Sequence, residues 1–386
     1  MITKSSVAAF LIAASLLGAQ YSHACTHFIL KGPSGSGAVV SARTVDFNIP
    51  IFPKLVSVPR GIEWQSRGDG AQAPGMRWVN RYGFLGVGAS NERDLYLDGI
   101  NEEGLSAAIL WLDEAKYMPR KGANDLGTFD LVSYFLGSFG TLAEAKAAVQ
   151  TLNVYGNVLT EYAGLVAPLH LVVMDASGDS FVAEWIDGQL KLYDKGNTPG
   201  YIDVLANSPP YPGQLANVAA YGNLSCYNLE NYSLTGLPGN SSSTSRFARV
   251  AKLKQCAENV GGVPTGAPLI ATAEEALERA SVIIGRVDKV EGETITEATY
   301  GTTLSFTRLT VVRIHGRRDV NGRPTSKLYF NTPDNNALRV IDLAKLTFDD
   351  GERRSQPFYV DSPRYRRAQD AIPMPPFVDK CKGVCP

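Results

Sequence analysis

The sequence predicts an α+β fold whose sheets are largely antiparallel. Segments with the character of β-strands dominate the chain, and the helical segments interrupt them in blocks instead of alternating with them one for one. A doubly wound parallel sheet needs a regular alternation of strand and helix, so that class is disfavoured. The chain has 386 residues, 44% of them hydrophobic, which is enough for one large domain or two smaller ones. We expect a single domain over residues 25–360.

The first 24 residues predict a cleaved signal peptide. Residues 7–19 form an uncharged apolar run that is too short to span a bilayer comfortably. Ser22 and Ala24 then place small residues at the −3 and −1 positions of a cleavage site, and cleavage there exposes Cys25 as a new N-terminus. We therefore expect an exported protein, periplasmic or secreted, with no membrane segment after processing.

The first predicted strands follow this cleavage site. Residues 26–31 and 38–47 are predicted strands that flank the glycine-rich turn at 32–37. Residues 95–112 predict a strand, a turn and a second strand. The mature chain therefore begins in β-structure.

Helices are predicted where capping residues precede a helical run. The helix at 141–152 has Thr141 as its N-cap and Glu144 as the capping-box partner three residues later. Residues 241–260 predict a second helix with Ser or Thr near its start, and residues 272–284 predict a third.

Further strands are predicted between and after these helices. Residues 169–194 contain strands that meet at turns, and residues 201–209 predict a strand that continues into a loop. Residues 304–316 and 326–335 predict a late antiparallel pair. The tail at 361–386 is polar and proline-rich, so we expect it to extend over the surface.

The charge and histidine content exclude several function classes. Lys and Arg number 37 against 38 Asp and Glu, so the strongly basic surface typical of nucleic-acid or anionic-membrane binding is not expected. The four histidines (His23, His27, His170 and His315) are scattered, and no HExxH or CxxC spacing occurs. We predict no metal and no nucleic-acid partner.

The five cysteines suggest one free thiol. They are Cys25, Cys226, Cys256, Cys381 and Cys385. An odd count in an exported protein leaves at least one cysteine unpaired if all pairing is internal. The last two can close a small loop in an oxidising compartment, and the middle two can pair if the chain between them doubles back. These two pairings would leave Cys25 free.

An N-terminal Cys25 would carry its own base. A thiol attacks as the thiolate and needs a base or a cationic neighbour to ionise at neutral pH. The α-amine has an ordinary pKa of about 7.7–8.0, so part of it is neutral near pH 7. Arg43 is a candidate to stabilise the thiolate by its charge, and Asp46 is a candidate to hold the α-ammonium group.

Five motifs in order resemble one family. They are Cys25-Thr26, ARTVDF (42–47), DGINEEGLSAAIL (98–110), VLANSPPY (204–211) and GLPGNSSSTSRFARVAKL (236–253). Together they resemble the choloylglycine hydrolase family of N-terminal-nucleophile hydrolases, which includes penicillin V acylases and bile salt hydrolases. The resemblance implies a four-layer αββα sandwich with two antiparallel sheets. It also implies hydrolysis of a small-molecule acyl amide without a cofactor, and a homotetramer.

The resemblance assigns roles to five residues. It implies that Cys25 is the nucleophile, Arg43 the arginine beside the thiolate and Asp46 the partner of the α-amine. It further implies that Asn207 supplies the oxyanion-hole amide and that Arg246 is a second active-site arginine. Taken singly, each residue also has an ordinary explanation as a turn, a cap, a surface charge or a core group. The shared order of the motifs favours the catalytic roles.

Trp111 departs from the family pattern. Many relatives carry Asn or Tyr at this position, and the resemblance implies that its backbone N–H completes the oxyanion hole. A tryptophan at this position resembles the Gram-negative branch of the family. It predicts an acyl pocket with aromatic walls, and Phe47 and Tyr211 are further candidates for these walls. A core role is the alternative for each of the three. Such a pocket favours penicillin V-type and N-acyl-homoserine-lactone-type amides over conjugated bile acids.

Three other functions remain open from the sequence. The chain is alternatively a bile salt hydrolase. It is alternatively a lipid-anchored binding protein acylated on Cys25, although Ser22 stands where the usual lipobox leucine would be. A papain-like thiol hydrolase with His27 or His170 as its base is the third alternative.

Overall fold

The computed structural model describes most of the predicted domain. The described ranges are 25–48, 53–68, 74–89, 95–159, 164–226, 234–258, 270–298, 301–333 and 335–349, with the short strands 354–357, 372–373 and 379–380. The predicted signal peptide and most of the predicted tail lie outside the described residues.

Two large sheets make up the centre of the described molecule. Numbered in chain order, the strands of the first sheet are β1 (Thr26–Lys31), β2 (Val39–Phe47), β16 (Val204–Leu205), β17 (Thr294–Ala298), β18 (Gly301–Ile314), β19 (Lys327–Thr332), β20 (Asn335–Asp342) and β22 (Ile372–Pro373). The strands of the second sheet are β3 (Pro53–Val58), β6 (Phe84–Ala89), β7 (Tyr96–Asn101), β8 (Ser106–Trp111), β13 (Leu169–Met174), β14 (Ser180–Ile186), β15 (Gln189–Asp194), β21 (Arg354–Pro357) and β23 (Asp379–Lys380). Neighbouring strands in both sheets are antiparallel, apart from the parallel pair β20–β22.

Three small ribbons lie outside these sheets. They pair β4 (Glu63–Gln65) with β5 (Arg77–Val79), β9 (Leu126–Gly127) with β10 (Val154–Tyr155), and β11 (Val158–Leu159) with β12 (Leu165–Val166).

Helices cover both sheets. They are α1 (Leu131–Ser138), α2 (Leu142–Val149), α3 (Tyr211–Ala219), α4 (Ser243–Glu258) and α5 (Ala273–Ile284), with 3-10 turns at Thr128–Asp130 and Leu343–Lys345. Helices α4 and α5 pack on the first sheet, α1 and α2 pack on the second, and α3 packs against α4. The layers therefore run helix, sheet, sheet, helix, which confirms the predicted α+β class. No helix among the described residues is long and apolar enough to cross a membrane.

The alternation of side chains in β2 separates two buried environments. Its residues lie with β1 on one side and β18 on the other, and nearly every side chain is buried. The guanidinium group of Arg43 reaches strands β7 and β8, so its face of β2 looks towards the second sheet. Ala42 instead belongs to the apolar core formed with α4 and α5. Successive side chains of a strand point to opposite faces, so one nine-residue strand serves both layers.

The predicted helices are present with minor changes at their ends. Thr141 Oγ1 accepts a hydrogen bond from Glu144 N at 3.2 Å, and the Glu144 carboxylate accepts one from Thr141 N at 3.2 Å, which completes the predicted capping box. Thr272 and Glu275 form the same arrangement at the start of α5. Each box satisfies backbone donors that the first helical turn leaves free.

Residues 201–209 form the predicted strand that continues into a loop, but the strand is short. Only Val204 and Leu205 form a strand, because β16 pairs with just two residues of β1 before the chain turns through the cis Ser208–Pro209 peptide into α3. Helices α1 and α3 and the strands β3 to β6 were not predicted from the sequence.

Cys226 and Cys256 form a disulfide that spans 30 residues. The bond ties the loop after α3 to the last turn of α4, the helix that carries Arg246. Cys25 is a free thiol, and the pair Cys381 and Cys385 lies outside the described residues.

Loss of this disulfide should lower the stability of the fold. For a double variant, Cys226→Ser with Cys256→Ser, we expect the free energy of unfolding to fall by about 3–4 kcal/mol, because a cross-link over this loop length restricts the unfolded chain. Urea denaturation of the oxidised protein and of the variant measures the difference. The reduced parent protein is the matched control and should lose a similar amount. An unchanged denaturation midpoint in the variant would contradict the expectation.

Candidate active site

Cys25 lies at the beginning of the first central strand. Its side chain is 1% exposed, and it directly precedes β1. The β1–β2 register places Thr26 opposite Thr44 and His27 opposite Arg43. Arg43 Nη2 lies 3.7 Å from Cys25 Sγ, which is within hydrogen-bonding distance for sulfur. The register of the β1–β2 hairpin therefore brings Cys25, the predicted nucleophile, next to Arg43, the arginine predicted to lie beside its thiolate.

Arg43 is held by groups of the second sheet. Its Nη2 donates to the carbonyl of Ile109 at 2.5 Å, and its Nη1 donates to the carbonyl of Leu97. Nη1 also pairs with Asp98 Oδ2 at 3.3 Å, and Asp98 forms a second ion pair with Arg313. Two buried guanidinium groups thus face one buried carboxylate. The group of Arg43, Asp98 and Arg313 therefore carries one positive charge in excess, next to the sulfur of Cys25.

Asn207 links the Trp111 segment to the Arg246 helix. Its Nδ2 donates to the carbonyl of Trp111 at 2.8 Å, and its Oδ1 accepts from Arg246 Nη2 at 2.8 Å. The backbone N–H of Asn207 donates to Ser243 Oγ at 2.9 Å, at the start of α4. Three hydrogen bonds therefore hold Asn207 in place, and the residue is only 4% exposed. One Nδ2 hydrogen is used by Trp111, and an amide nitrogen carries two.

Further hydrogen bonds join the Trp111 segment to the loop that carries Asn207. Trp111 Nε1 donates to Asp113 Oδ1 at 2.6 Å. Asp113 N donates to Ser208 Oγ at 3.0 Å, and that hydroxyl donates to Asp113 Oδ2 at 3.2 Å. The indole is 3% exposed and lies at the end of β8, opposite Leu169 of β13.

Arg246 reaches Cys25 from the helical layer. Its Nη1 donates to the carbonyl oxygen of Cys25 at 2.6 Å and to Thr26 Oγ1, and its Nε donates to the carbonyl of Ser241 at 3.0 Å. Burial lowers the pKa of this guanidinium from its ordinary value, although the charges of Asp46 and Cys25 oppose the shift. The residue predicted as a second active-site arginine thus touches the backbone of the predicted nucleophile and the side chain of Asn207.

Asp46 is connected to the start of β1 through a threonine. Thr26 N donates to Thr44 Oγ1 at 3.1 Å, and that hydroxyl donates to Asp46 Oδ2 at 3.4 Å. Burial raises the pKa of Asp46 to about 7, despite the opposing charge of Arg246. In the full chain the nitrogen of Cys25 is an amide joined to Ala24, so contact between Asp46 and a free α-amine stays a prediction.

The two remaining wall candidates occupy different surroundings. Phe47 ends β2 half-buried and lies opposite Phe306 of β18. Tyr211 is fully buried at the start of α3, where its hydroxyl accepts from Ile202 N at 3.0 Å and its ring lies beside Phe247. Their predicted contact with an acyl group, like that of Trp111, stays a prediction.

His170 has hydrogen-bond partners other than Cys25. His170 Nδ1 lies 3.2 Å from Glu184 Oε1 and its Nε2 lies 3.0 Å from the carbonyl of Ala206. Both ring nitrogens of His170 therefore have polar partners other than the thiol of Cys25. Burial, together with Arg313 and Arg43, lowers the pKa of His27 well below its ordinary value. Among the described residues, no group of three or more His, Cys, Asp or Glu side chains is placed to hold a metal ion.

Two contributors to the site were missed by sequence reasoning. Asp98 was predicted only as part of a motif, yet a carboxylate in a mostly apolar strand is a signal that it has a buried cationic partner. Thr307 donates to Asp46 Oδ1 at 2.6 Å from β18. No sequence signal identifies that contact, because it depends on strand register.

Comparisons with known proteins agree with this arrangement. Residues 25–355 match the family model described as linear amide C-N hydrolases, choloylglycine hydrolase family. The chain is 30% identical over 261 residues to a penicillin V acylase of Pectobacterium atrosepticum, covering 64% of each chain. It is 34% identical over 194 residues to a bile salt hydrolase/transferase of Lactiplantibacillus plantarum, covering 45% of this chain and 57% of the relative. The chain thus spans about three fifths of the length of these two relatives.

Solved structures show the same fold. A mutant form of the conjugated bile acid hydrolase from Clostridium perfringens superposes with a TM-score of 0.68 at 22% identity, covering 87% of this chain and 97% of that one. Penicillin V acylase from Agrobacterium tumefaciens superposes with a TM-score of 0.66 at 24% identity, covering 86% and 90%. The two antiparallel sheets with flanking helices are therefore the N-terminal-nucleophile hydrolase fold. The match over residues 25–355 shows that the chain belongs to the linear amide C-N hydrolases of the choloylglycine hydrolase family.

Proposed function

We propose that this protein removes the acyl group from a small linear amide, with Cys25 as an N-terminal nucleophile exposed by removal of residues 1–24. The observation that carries the proposal is the convergence on Cys25 of Arg43 at its thiol and Arg246 at its carbonyl. Asn207 is hydrogen-bonded to Arg246 and therefore also lies close to Cys25. The predicted signal peptide supports the further proposal that the reaction takes place in the periplasm or outside the cell.

The reaction begins with a proton transfer within one residue. The α-amine of Cys25, through a water molecule, takes the thiol proton, and the charge of Arg43 stabilises the thiolate. The thiolate attacks the amide carbonyl and forms a tetrahedral intermediate. The second Nδ2 hydrogen of Asn207 and the backbone N–H of Trp111 stabilise its oxyanion.

Collapse of this intermediate completes the transfer. The α-ammonium returns its proton to the amine product, which leaves while the acyl group stays on sulfur as a thioester. Water, activated by the same amine, then hydrolyses the thioester and restores the thiol. Every step uses only groups of the protein and water.

The acyl group we favour is aromatic or fatty. The proposal rests on the aromatic residues near the predicted site, Trp111 and Phe47, and on a penicillin V acylase among the relatives. Penicillin V-type and N-acyl-homoserine-lactone-type amides therefore rank first. A conjugated bile acid is the alternative substrate, supported by the relatives named as bile salt hydrolases.

A substrate panel tests this ranking. We expect kcat/KM for penicillin V or for an N-acyl-homoserine lactone to exceed that for glycine- and taurine-conjugated bile acids by about tenfold or more, which corresponds to about 1.4 kcal/mol of transition-state binding. The protein processed at Cys25 is assayed for amine release with each compound, and the Cys25→Ser variant provides the blank. Faster turnover of the bile acid conjugates would favour the alternative, and no turnover of any amide would contradict the proposed activity.

The lipid-anchored alternative has a separate test. A binding lipoprotein would carry a diacylglyceryl group on Cys25 and a blocked amine, which the proposed mechanism does not permit. The intact mass of the mature protein distinguishes the two. A mass equal to the chain from Cys25 onward supports the hydrolase, whereas an added diacylglyceryl mass overturns it.

A further inference from the structure

The carboxylate of Asp46 is held between two threonine hydroxyl groups. Thr307 Oγ1 donates to Asp46 Oδ1 at 2.6 Å, and Thr44 Oγ1 donates to Oδ2 at 3.4 Å. Thr307 lies opposite Asp46 in the β2–β18 pair, next to a shift in strand register. Both oxygens of this fully buried carboxylate therefore face an O–H group, and the contact from Thr307 is the shorter one.

Backbone contacts fix the direction of both hydroxyl protons. Lys289 N donates to Thr307 Oγ1 at 2.8 Å, and Thr26 N donates to Thr44 Oγ1 at 3.1 Å. Each backbone N–H can only donate and an ionised carboxylate can only accept, so the single proton of each hydroxyl is donated to the carboxylate. That carboxylate is Asp46 in both cases. A donated hydrogen bond of this kind favours the charged form of a carboxylate.

The charged groups that face Asp46 come from several elements. Arg246 approaches from α4, and Lys289 and Asp288 approach from the segment after α5. Burial alone raises the pKa of Asp46, whereas Arg246, Thr307 and Lys289 lower it and Asp288 raises it further, with a result of about 7. The ionisation of this carboxylate is therefore balanced near neutral pH, where one strong hydrogen bond changes the charged fraction substantially.

We propose that Thr307 is a positioning residue that keeps Asp46 ionised and directed towards the α-amine of Cys25. The proposal rests on the proposed function, because it assumes that Asp46 holds this amine. Thr307 touches neither the thiol nor the site of the oxyanion in this arrangement. Its effect on the reaction passes through the charge and the orientation of Asp46.

Thr307→Val tests the proposal through the pH dependence of the reaction. Valine keeps the shape of the side chain but removes the donor to the charged form of Asp46, so the pKa of Asp46 rises. We expect the acid limb of the kcat/KM profile to move up by about one pH unit, the size expected for a charge-assisted hydrogen bond. Activity should approach that of the parent protein at high pH, and Thr307→Ser should restore the parent profile.

Thr310→Val is the matched control. Thr310 lies on the same strand and donates to Asp288 Oδ1 at 3.1 Å. Loss of this bond favours neutral Asp288, which removes negative charge near Asp46, so the acid limb should stay in place or move down. Thr307→Ala serves as the second test variant if the valine variant does not fold, and denaturation midpoints are measured for all variants.

The outcomes separate this inference from the proposed function. An unshifted profile in a folded Thr307→Val protein, an equal loss of activity at every pH, or an equal upward shift in Thr310→Val would overturn the inference while leaving the hydrolase intact. The rate of Cys25 alkylation by iodoacetamide against pH provides the same comparison without turnover. Failure of the proposed function appears differently, as absence of amide hydrolysis in the processed parent protein.

Discussion

Replacement of Cys25 by serine should reduce amide hydrolysis by about 10³-fold or more, the range found when the nucleophile of other hydrolases is removed. A hydroxyl is far less acidic than a thiol, so neither the α-amine nor the charge of Arg43 can generate an equivalent nucleophile. The substitution replaces one sulfur atom by a smaller oxygen atom, so the buried position of Cys25 should accept the change. Steady-state rates with the best substrate of the panel measure the loss.

Two comparisons make this result specific. The Cys226→Ser, Cys256→Ser double variant removes two other cysteines, and we expect it to keep its activity at temperatures where it is folded. A form with one extra residue before Cys25 keeps the thiol but blocks the amine, and it should be as inactive as the serine variant. Activity in that extended form would favour a separate base and contradict the N-terminal mechanism. Unchanged turnover in Cys25→Ser would remove the residue from the reaction.

Asn207→Ala should lower kcat by about 10²–10³-fold, because the donor that we propose for the oxyanion hole is lost at the point where negative charge develops. The same change leaves Arg246 Nη2 and the Trp111 carbonyl without their partner. We therefore also expect the free energy of unfolding to fall by about 1–3 kcal/mol, the cost of unsatisfied buried polar groups. Rates are measured well below the denaturation midpoint, so that the two effects are separated.

Asn217→Ala is the matched control for this substitution. Asn217 on α3 donates through Nδ2 to the carbonyl of Thr244 at 2.9 Å, so the variant loses a similar amide-to-carbonyl bond away from Cys25. Its kcat should stay within about threefold of the parent value, since a distant substitution removes no transition-state contact. A comparable loss of kcat in both variants would indicate that Asn207 acts through the fold of α3 and α4, and not through the oxyanion.

Arg43 is both deeply buried and in contact with the predicted nucleophile. The pair with Asp98 and the bonds to two backbone carbonyls hold the guanidinium between the sheets, where an unpaired charge would be very costly. One cation of the group Arg43, Asp98 and Arg313 remains in excess next to Cys25 Sγ. This positive charge is therefore part of the sandwich interior, at the position where the proposed mechanism needs it.

Much of the fold and of the site could be predicted from local patterns. The hairpin 26–47, the capping box of Thr141 and Glu144 and the helix of Arg246 each depend on residues close together in the chain. Two kinds of missed element have a clear physical reason. Short strands such as β4 and β5 pair over only three residues, and α1 is buried on nearly all sides, so its sequence lacks an amphipathic period.

The sequence by itself determined the α+β class, the family and the identity of the thiol, because these follow from local periodicity and from motifs in a given order. Only the tertiary structure decided which groups surround Cys25 and Asp46. The contact between Arg246 and Cys25 joins residues 221 positions apart, and the bond from Thr307 to Asp46 depends on an irregular strand register. Such contacts depend on register and on packing between layers, and a pattern along one segment of the chain does not contain that information.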